Sequence, residues 1–267
     1  MADYKIISIA TSKGGVGKTT IALGLARTLA RTGKKVLLCD LDFGNACLDI
    51  TAGIENRILY TVIDLVAGKC SADDVLVKLS DDKIMLLPAP ASGLEKVPAG
   101  EDLCKTLIKL AEEKSFEYII LDTGAGINET NDAVFSISDI VLVAANHNPA
   151  SIRAAESTGI RVASLNKNAE VKLIINAFDV QNLTSWRLRN RTAMFSIIDE
   201  SGIPLIGVIP YDYGLELAAE LSRDGKTEYS AETDAAFNNI VARLCGETVP
   251  LFSDMGKIRR KKDVLFS

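Results

Sequence analysis

The stretch Ser12-Lys13-Gly14-Gly15-Val16-Gly17-Lys18-Thr19-Thr20 follows an apolar run, Lys5 to Ala10, that reads as a short buried strand. A good helix-forming sequence continues from its last residues as far as Arg31 and stops at Gly33. Strand, glycine loop and helix, in that order, make a phosphate site. Three glycines let backbone N–H groups turn inward around a polyphosphate, and the start of the helix adds its positive dipole end. Lys18 can reach the β- and γ-phosphates, and the Thr19 hydroxyl can hold Mg²⁺. A plain glycine-rich turn is the competing reading, and chance decides between them. At average residue frequencies K-G-G-x-G-K-[ST] arises on the order of 10⁻⁷ per position, or roughly 10⁻⁴ to 10⁻⁵ over a chain of this length. Gly14, Gly15, Val16, Gly17, Lys18, Thr19 and Thr20 are therefore expected to bind ATP with Mg²⁺.

Working outward, apolar runs suited to buried strands recur at Val36 to Leu41, Ile84 to Leu87, Tyr118 to Leu121, Ile140 to Ala145, Val171 to Ile175 and Leu205 to Ile209. Helical stretches such as Gly100 to Lys114 lie between them. The alternation predicts an α/β fold: a single-domain P-loop NTPase with a mainly parallel, doubly wound sheet flanked by helices. Ligands of such sheets bind beyond the carboxyl ends of the strands. The domain is expected to span residues 1–253, followed by a basic tail at residues 254–267.

Two further strand ends carry carboxylates on that side. Asp40-Leu41-Asp42-Phe43-Gly44-Asn45 closes the second run, and Tyr118-Ile119-Ile120-Leu121-Asp122 has the arrangement of a Walker B strand, whose acid holds Mg²⁺ through water. Thr19 and Asp122 are the metal-site residues that these motifs lead one to expect.

Glycine would stand at position 12 of a strict P-loop, where this chain has Ser12, and a second lysine, Lys13, stands in the loop. The form K-G-G-V-G-K-T resembles the deviant Walker A motif of the MinD/ParA family of ATPases. That resemblance implies that Lys13 reaches across a dimer interface to the partner's nucleotide, a second cation suited to phosphoryl transfer. It implies also that Asp42 orients the attacking water, that Asp40 lies near the metal's solvation shell, and that Asn176 reads adenine. Lys13, Lys18 and Asp42 are the expected catalytic residues. Where the family often has D-x-P-A-G, this chain has Asp122-Thr123-Gly124-Ala125-Gly126. Cys47-Leu48-Asp49, the Gly207-Val208-Ile209-Pro210 turn and the segment from Asn239 to Leu251 are similar to the MinD branch rather than to chromosome-partitioning ParA proteins.

Charge and composition limit the function classes. The net charge is −5, which provides no general field for nucleic acid, so DNA is not an expected partner. Hydrophobic residues are 48% and charged residues 24%, values of a globular chain with a sizeable core. The longest apolar stretches fall far short of the roughly 18 to 20 residues of a membrane span, and the N-terminus lacks the features of a secretory signal. The cysteines, Cys39, Cys47, Cys70, Cys104 and Cys245, contain no C-x-x-C pair and read as free thiols used for packing.

Lys257, Arg259, Arg260, Lys261 and Lys262 against Asp263 give the end of this acidic chain a local charge of +4. MinD-like proteins end in a short basic amphipathic helix that enters the membrane interface, so the resemblance implies an anionic membrane partner. The function expected is an ATP-dependent dimerising switch that selects the division site by positioning a partner of the inhibitor or activator type. It would be cytoplasmic and reversibly peripheral at the inner face of the membrane. A ParA-like DNA-partitioning ATPase and a flagellar-number regulator of the MinD type are the alternatives.

Overall fold

In a computed structural model, residues 4–79, 82–91, 95–179, 194–215 and 229–254 are described. Residues 255–267 of the basic tail lie outside them. Strand β1 (Lys5–Ala10) is buried at every position after the first, as a strand covered on both faces must be. Around it the sheet runs β3 (Val77–Lys78), β4 (Ile84–Leu87), β2 (Val36–Leu41), β5 (Tyr118–Thr123), β1, β6 (Ile140–Ala145), β7 (Glu170–Phe178) and β8 (Leu205–Pro210). Every pairing is parallel except that of β3 with β4. The expected parallel, doubly wound sheet is the one observed.

Helix α1 (Lys18–Arg31) returns the chain from β1 toward β2. It buries Ile21, Leu25 and Leu29 at every fourth position, with Ala22 and Ala26 between them, and ends where Gly33 adopts φ +88°. Each fully buried Leu or Ile side chain contributes about 1.5–3 kcal/mol, so this stripe is a main attachment of the helix to the sheet. Against α1 lies α9 (Ala231–Leu244), whose Phe237 ring occupies the space where a Cβ on Gly24 would stand, 2.2 Å from its Cζ. Glycine there trades helix propensity for close approach of the two helices.

The opposite face is covered by α5 (Gly100–Lys114), α6 (Glu129–Ile137), α7 (Pro149–Leu165) and α8 (Met194–Ser201). Asn128 caps α6 by accepting from the Asn131 N–H at 2.9 Å, and Asn148 caps α7 by accepting from the Ala150 N–H, with Pro149 at the first turn. Between β2 and β4 lie the short helices α2 (Leu48–Ala52), α3 (Val62–Val66) and α4 (Ala72–Val75). Those last two begin at Thr61 and Ser71, whose N–H groups and hydroxyls donate to Asp64 and Asp74. β3 and these single turns are too short to show hydrophobic periodicity, so the sequence pattern does not mark them. Three strands run further than the apolar pattern indicates, β8 by one residue to Pro210. β5 continues to Thr123, taking Asp122 into the sheet, and β7 continues through Asn176, past an irregularity at Ala177 with φ +50°.

Candidate active site

The glycine loop joins β1 to α1 at the carboxyl edge of the central strand. Gly15 and Gly17 take φ of +73° and +90°, conformations that L side chains rarely adopt. No atom lies within 4 Å of where a Cβ on Gly14 or Gly15 would be, so the loop is open beside them. Gly17 is crowded instead: its Cβ would meet Asn176 Nδ2 at 2.2 Å. That amide donates to the Val16 carbonyl at 2.7 Å, so the strand-end asparagine of β7 braces the loop. At the loop's start the Ser12 hydroxyl donates to the Ala154 carbonyl of α7 at 2.8 Å, and the Lys13 N–H donates to Thr11 Oγ1.

Helix α1 begins at Lys18 with no side-chain cap and no acid in its first turn. Its first N–H groups lack intrahelical acceptors, and together with the dipole they form a ready anion site. Lys18 is buried, 8% exposed. The Thr19 hydroxyl donates to Asp122 Oδ2 at 2.6 Å, and Asp122 is 1% exposed with its other oxygen buried and without a hydrogen-bond partner. An orphaned carboxylate oxygen beside a threonine hydroxyl and a lysine fits a magnesium nucleotide.

Strand register explains the local field. Asp40 on β2 stands directly opposite Asp122 on β5, so the pleat brings the two carboxylates together. Burial, then the neighbouring Asp40 charge, pushes the Asp122 carboxyl up to about 7. Burial likewise raises Asp40 to about 6, against the lowering effect of two backbone donors, the N–H groups of Asp42 at 3.0 Å and Leu48 at 3.1 Å. These two bonds give Asp40 a task the sequence did not indicate, since it holds the turn that carries Asp42. Asp42 itself accepts from the Asn45 N–H at 3.2 Å and is half-buried at the edge of an open cleft of about 950 Å³, lined also by Phe43, Gly44, Gly124 and Glu129. Water therefore has access to its carboxylate.

Two cysteines depart from the packing expectation. Cys39 and Cys104 are buried, but Cys245 and Cys47 are exposed, and the Cys47 sulfur lies 3.6 Å from Thr19 Oγ1; partial desolvation and the surrounding carboxylates raise its thiol pKa against the lowering effect of that contact. Nothing in its spacing marks it, because it enters the site on the loop that Asp40 folds back.

The sequence matches the model of the AAA domain family over residues 4–175. Septum site-determining protein MinD of a Synechocystis species is 32% identical over 256 residues, covering 94% of this chain and 93% of the relative. The chain belongs to the MinD family. Its members are septum site-determining ATPases, and the chain is an ATP hydrolase of that family. Among solved structures, the MinC:MinD cell division protein complex of Aquifex aeolicus superposes with a TM-score of 0.79 at 30% identity, covering 92% of this chain and 98% of that one. MinD of Pyrococcus horikoshii in complex with Mg-ADP has a TM-score of 0.72 at 21% identity over 90% of this chain and 96% of that one, a likeness of fold.

The residues expected from sequence converge. Lys13, Gly14, Gly15, Val16, Gly17, Lys18, Thr19 and Thr20 lie on one loop and helix start, with Asp40, Asp42 and Asp122 beside them and Asn176 packed on the loop's far end. Ser12 and Thr123, whose hydroxyl donates to the Ile9 carbonyl at 2.8 Å, are supports that sequence reasoning missed.

Proposed function

We propose that the chain is an ATP-driven dimerising switch that brings a protein partner to an anionic membrane and releases it on hydrolysis. One observation carries this reading: the buried cluster of Lys18, Thr19 and Asp122, with an orphaned carboxylate oxygen, at an uncapped helix start. The loop N–H groups and Lys18 bind the phosphates, and Thr19 and Asp122 hold Mg²⁺, which supplies charge neutralisation at the β- and γ-oxygens. Asp40 keeps the Asp42 turn in place, and Asp42 orients the attacking water. Asn176 has the position to meet the base while bracing the loop. Lys13 contributes its charge to the partner subunit's nucleotide, so hydrolysis requires the dimer.

Residues 1–253 form the ATPase domain and residues 254–267 the membrane anchor in this proposal. Five basic residues near a strongly anionic surface supply at most about 5 kcal/mol, so a single tail binds marginally. Two tails joined by a dimer act at raised effective concentration, and avidity can exceed single-tail affinity by roughly 10² to 10⁴. Nucleotide state then controls location between cytoplasm and membrane. The Aquifex structure is a MinC:MinD cell division protein complex, and a protein partner of the division-inhibitor or activator type is proposed here.

Sedimentation with liposomes rich in anionic lipid tests the proposal. The protein should pellet with ATP and far less with ADP, and deleting residues 257–267 should abolish pelleting while leaving ATP-driven dimerisation intact. Equal pelleting of the truncated chain, or ATP-dependent retention on DNA with a steep salt slope, would overturn it.

A further inference from the structure

The loop after β5 is built from Gly124-Ala125-Gly126-Ile127, two glycines and no proline, so its backbone has unusual freedom. It nevertheless must sit closely against the catalytic turn, because a Cβ on Gly124 would lie only 3.4 Å from Asp42 Oδ1. Its carbonyls are held by one side chain among the described residues. Asn131, in the first turn of α6 and 1% exposed, donates from Nδ2 to the Gly124 carbonyl at 3.0 Å and to the Gly126 carbonyl at 2.8 Å. Both partners are acceptors, so the amide must present its nitrogen to them. Its oxygen is buried with no hydrogen-bond partner, a cost the side chain bears. The Gly126 N–H in turn donates to the Thr11 carbonyl at 3.3 Å, at the foot of the glycine loop. Asn131 is itself fixed, since its own N–H is held by the helix cap Asn128.

We propose that Asn131 is a positioning residue for ATP hydrolysis: it clamps the Gly124–Gly126 loop and so sets the wall against which the Asp42 carboxylate is held. This rests on the catalytic role given to Asp42 above. A group that only stabilised the start of α6 would offer its amide oxygen to the free N–H groups of the first turn, where Asn128 already supplies the cap. Asn131 spends both of its donors on the loop.

The test compares the full chain with Asn131→Ala, Gly124→Pro and the double variant. Proline replaces the lost bonds by fixing the backbone of residue 124, which lies outside the left-handed region. Gly124→Ala, whose Cβ meets Asp42 at an ordinary contact distance, does the same in smaller measure and stands in if the proline variant does not fold. In nucleotide-free protein, amide hydrogen exchange over residues 123–127 should quicken about tenfold in Asn131→Ala and return toward the wild-type rate in the double variant. Steady-state hydrolysis should show kcat lowered about tenfold in Asn131→Ala with KM for ATP within about twofold, and kcat recovered in the double variant. Unchanged exchange in Asn131→Ala, or a double variant no better than the single one, would overturn the clamp. Exchange behaving as stated with kcat unchanged in Asn131→Ala would also overturn the proposal, because the clamp would then have no consequence for hydrolysis, whereas wild-type hydrolysis by Asp42→Ala would instead remove the role given to Asp42.

Discussion

Asp122→Asn separates the cost of the site from its use. In the folded, nucleotide-free chain the Asp122 carboxyl titrates at about 7, against an ordinary value of 3.8, because it is buried opposite Asp40. A carboxyl whose pKa is raised on folding contributes most to stability below the unfolded value, and that contribution is lost as pH rises toward and past the folded one. The difference is about three units, so ionisation costs the folded state up to about 4 kcal/mol by pH 8 and under about 1 kcal/mol near pH 4. Asparagine keeps the acceptor for the Thr19 hydroxyl and does not ionise. Urea unfolding of the nucleotide-free proteins should therefore find Asp122→Asn more stable than wild type by a few kcal/mol at pH 8, the gap closing steadily toward pH 4. Added Mg-ADP should stabilise wild type more than the variant, since the cation turns the ionised carboxylate from a cost into a ligand. A gap that does not change with pH, or a variant less stable at pH 8, would refute the reasoning by showing the carboxylate already ionised at no cost.

Other expectations follow from separate parts of the molecule. Gly24→Ala should destabilise by about 1–3 kcal/mol in urea or thermal unfolding despite better helix propensity, because its Cβ would overlap the fully buried Phe237 ring; an unchanged midpoint would show that α9 yields. Mass-spectrometric alkylation should label Cys47 in nucleotide-free protein and much less with Mg-ADP, whereas equal labelling would place the metal away from Thr19. Lys13→Ala should bind ATP and stay monomeric by light scattering, and normal ATP-driven dimerisation would remove its role across the interface.

The parts of the site that sequence reveals are those encoded in contiguous residues. Gly14 to Thr20 announce themselves because loop, cation and helix start adjoin, and Asp122 does so because a carboxylate ends an apolar strand. The supports do not, since each joins residues far apart in the chain. Ser12 meets Ala154, Asn176 meets Val16, and Thr123 meets Ile9, contacts fixed by strand order rather than by spacing. Asp40 shows the limit most clearly. Its position at a strand end was legible, but its bonds to the N–H groups of Asp42 and Leu48 depend on the path of the turn between them. The sheet was legible for the complementary reason: strands covered on both faces need continuous apolar runs, and β3, only two residues long at the sheet's edge, has none.

In the proposed cycle ATP assembles the switch and hydrolysis through Asp42 resets it. Light scattering of Asp42→Ala with Mg-ATP, with phosphate release followed in the same sample, separates the two halves of that cycle. Asp42→Ala should form a stable species of twice the 28.7 kDa chain mass with negligible phosphate release. A monomer under these conditions, or hydrolysis at the wild-type rate, would contradict that cycle.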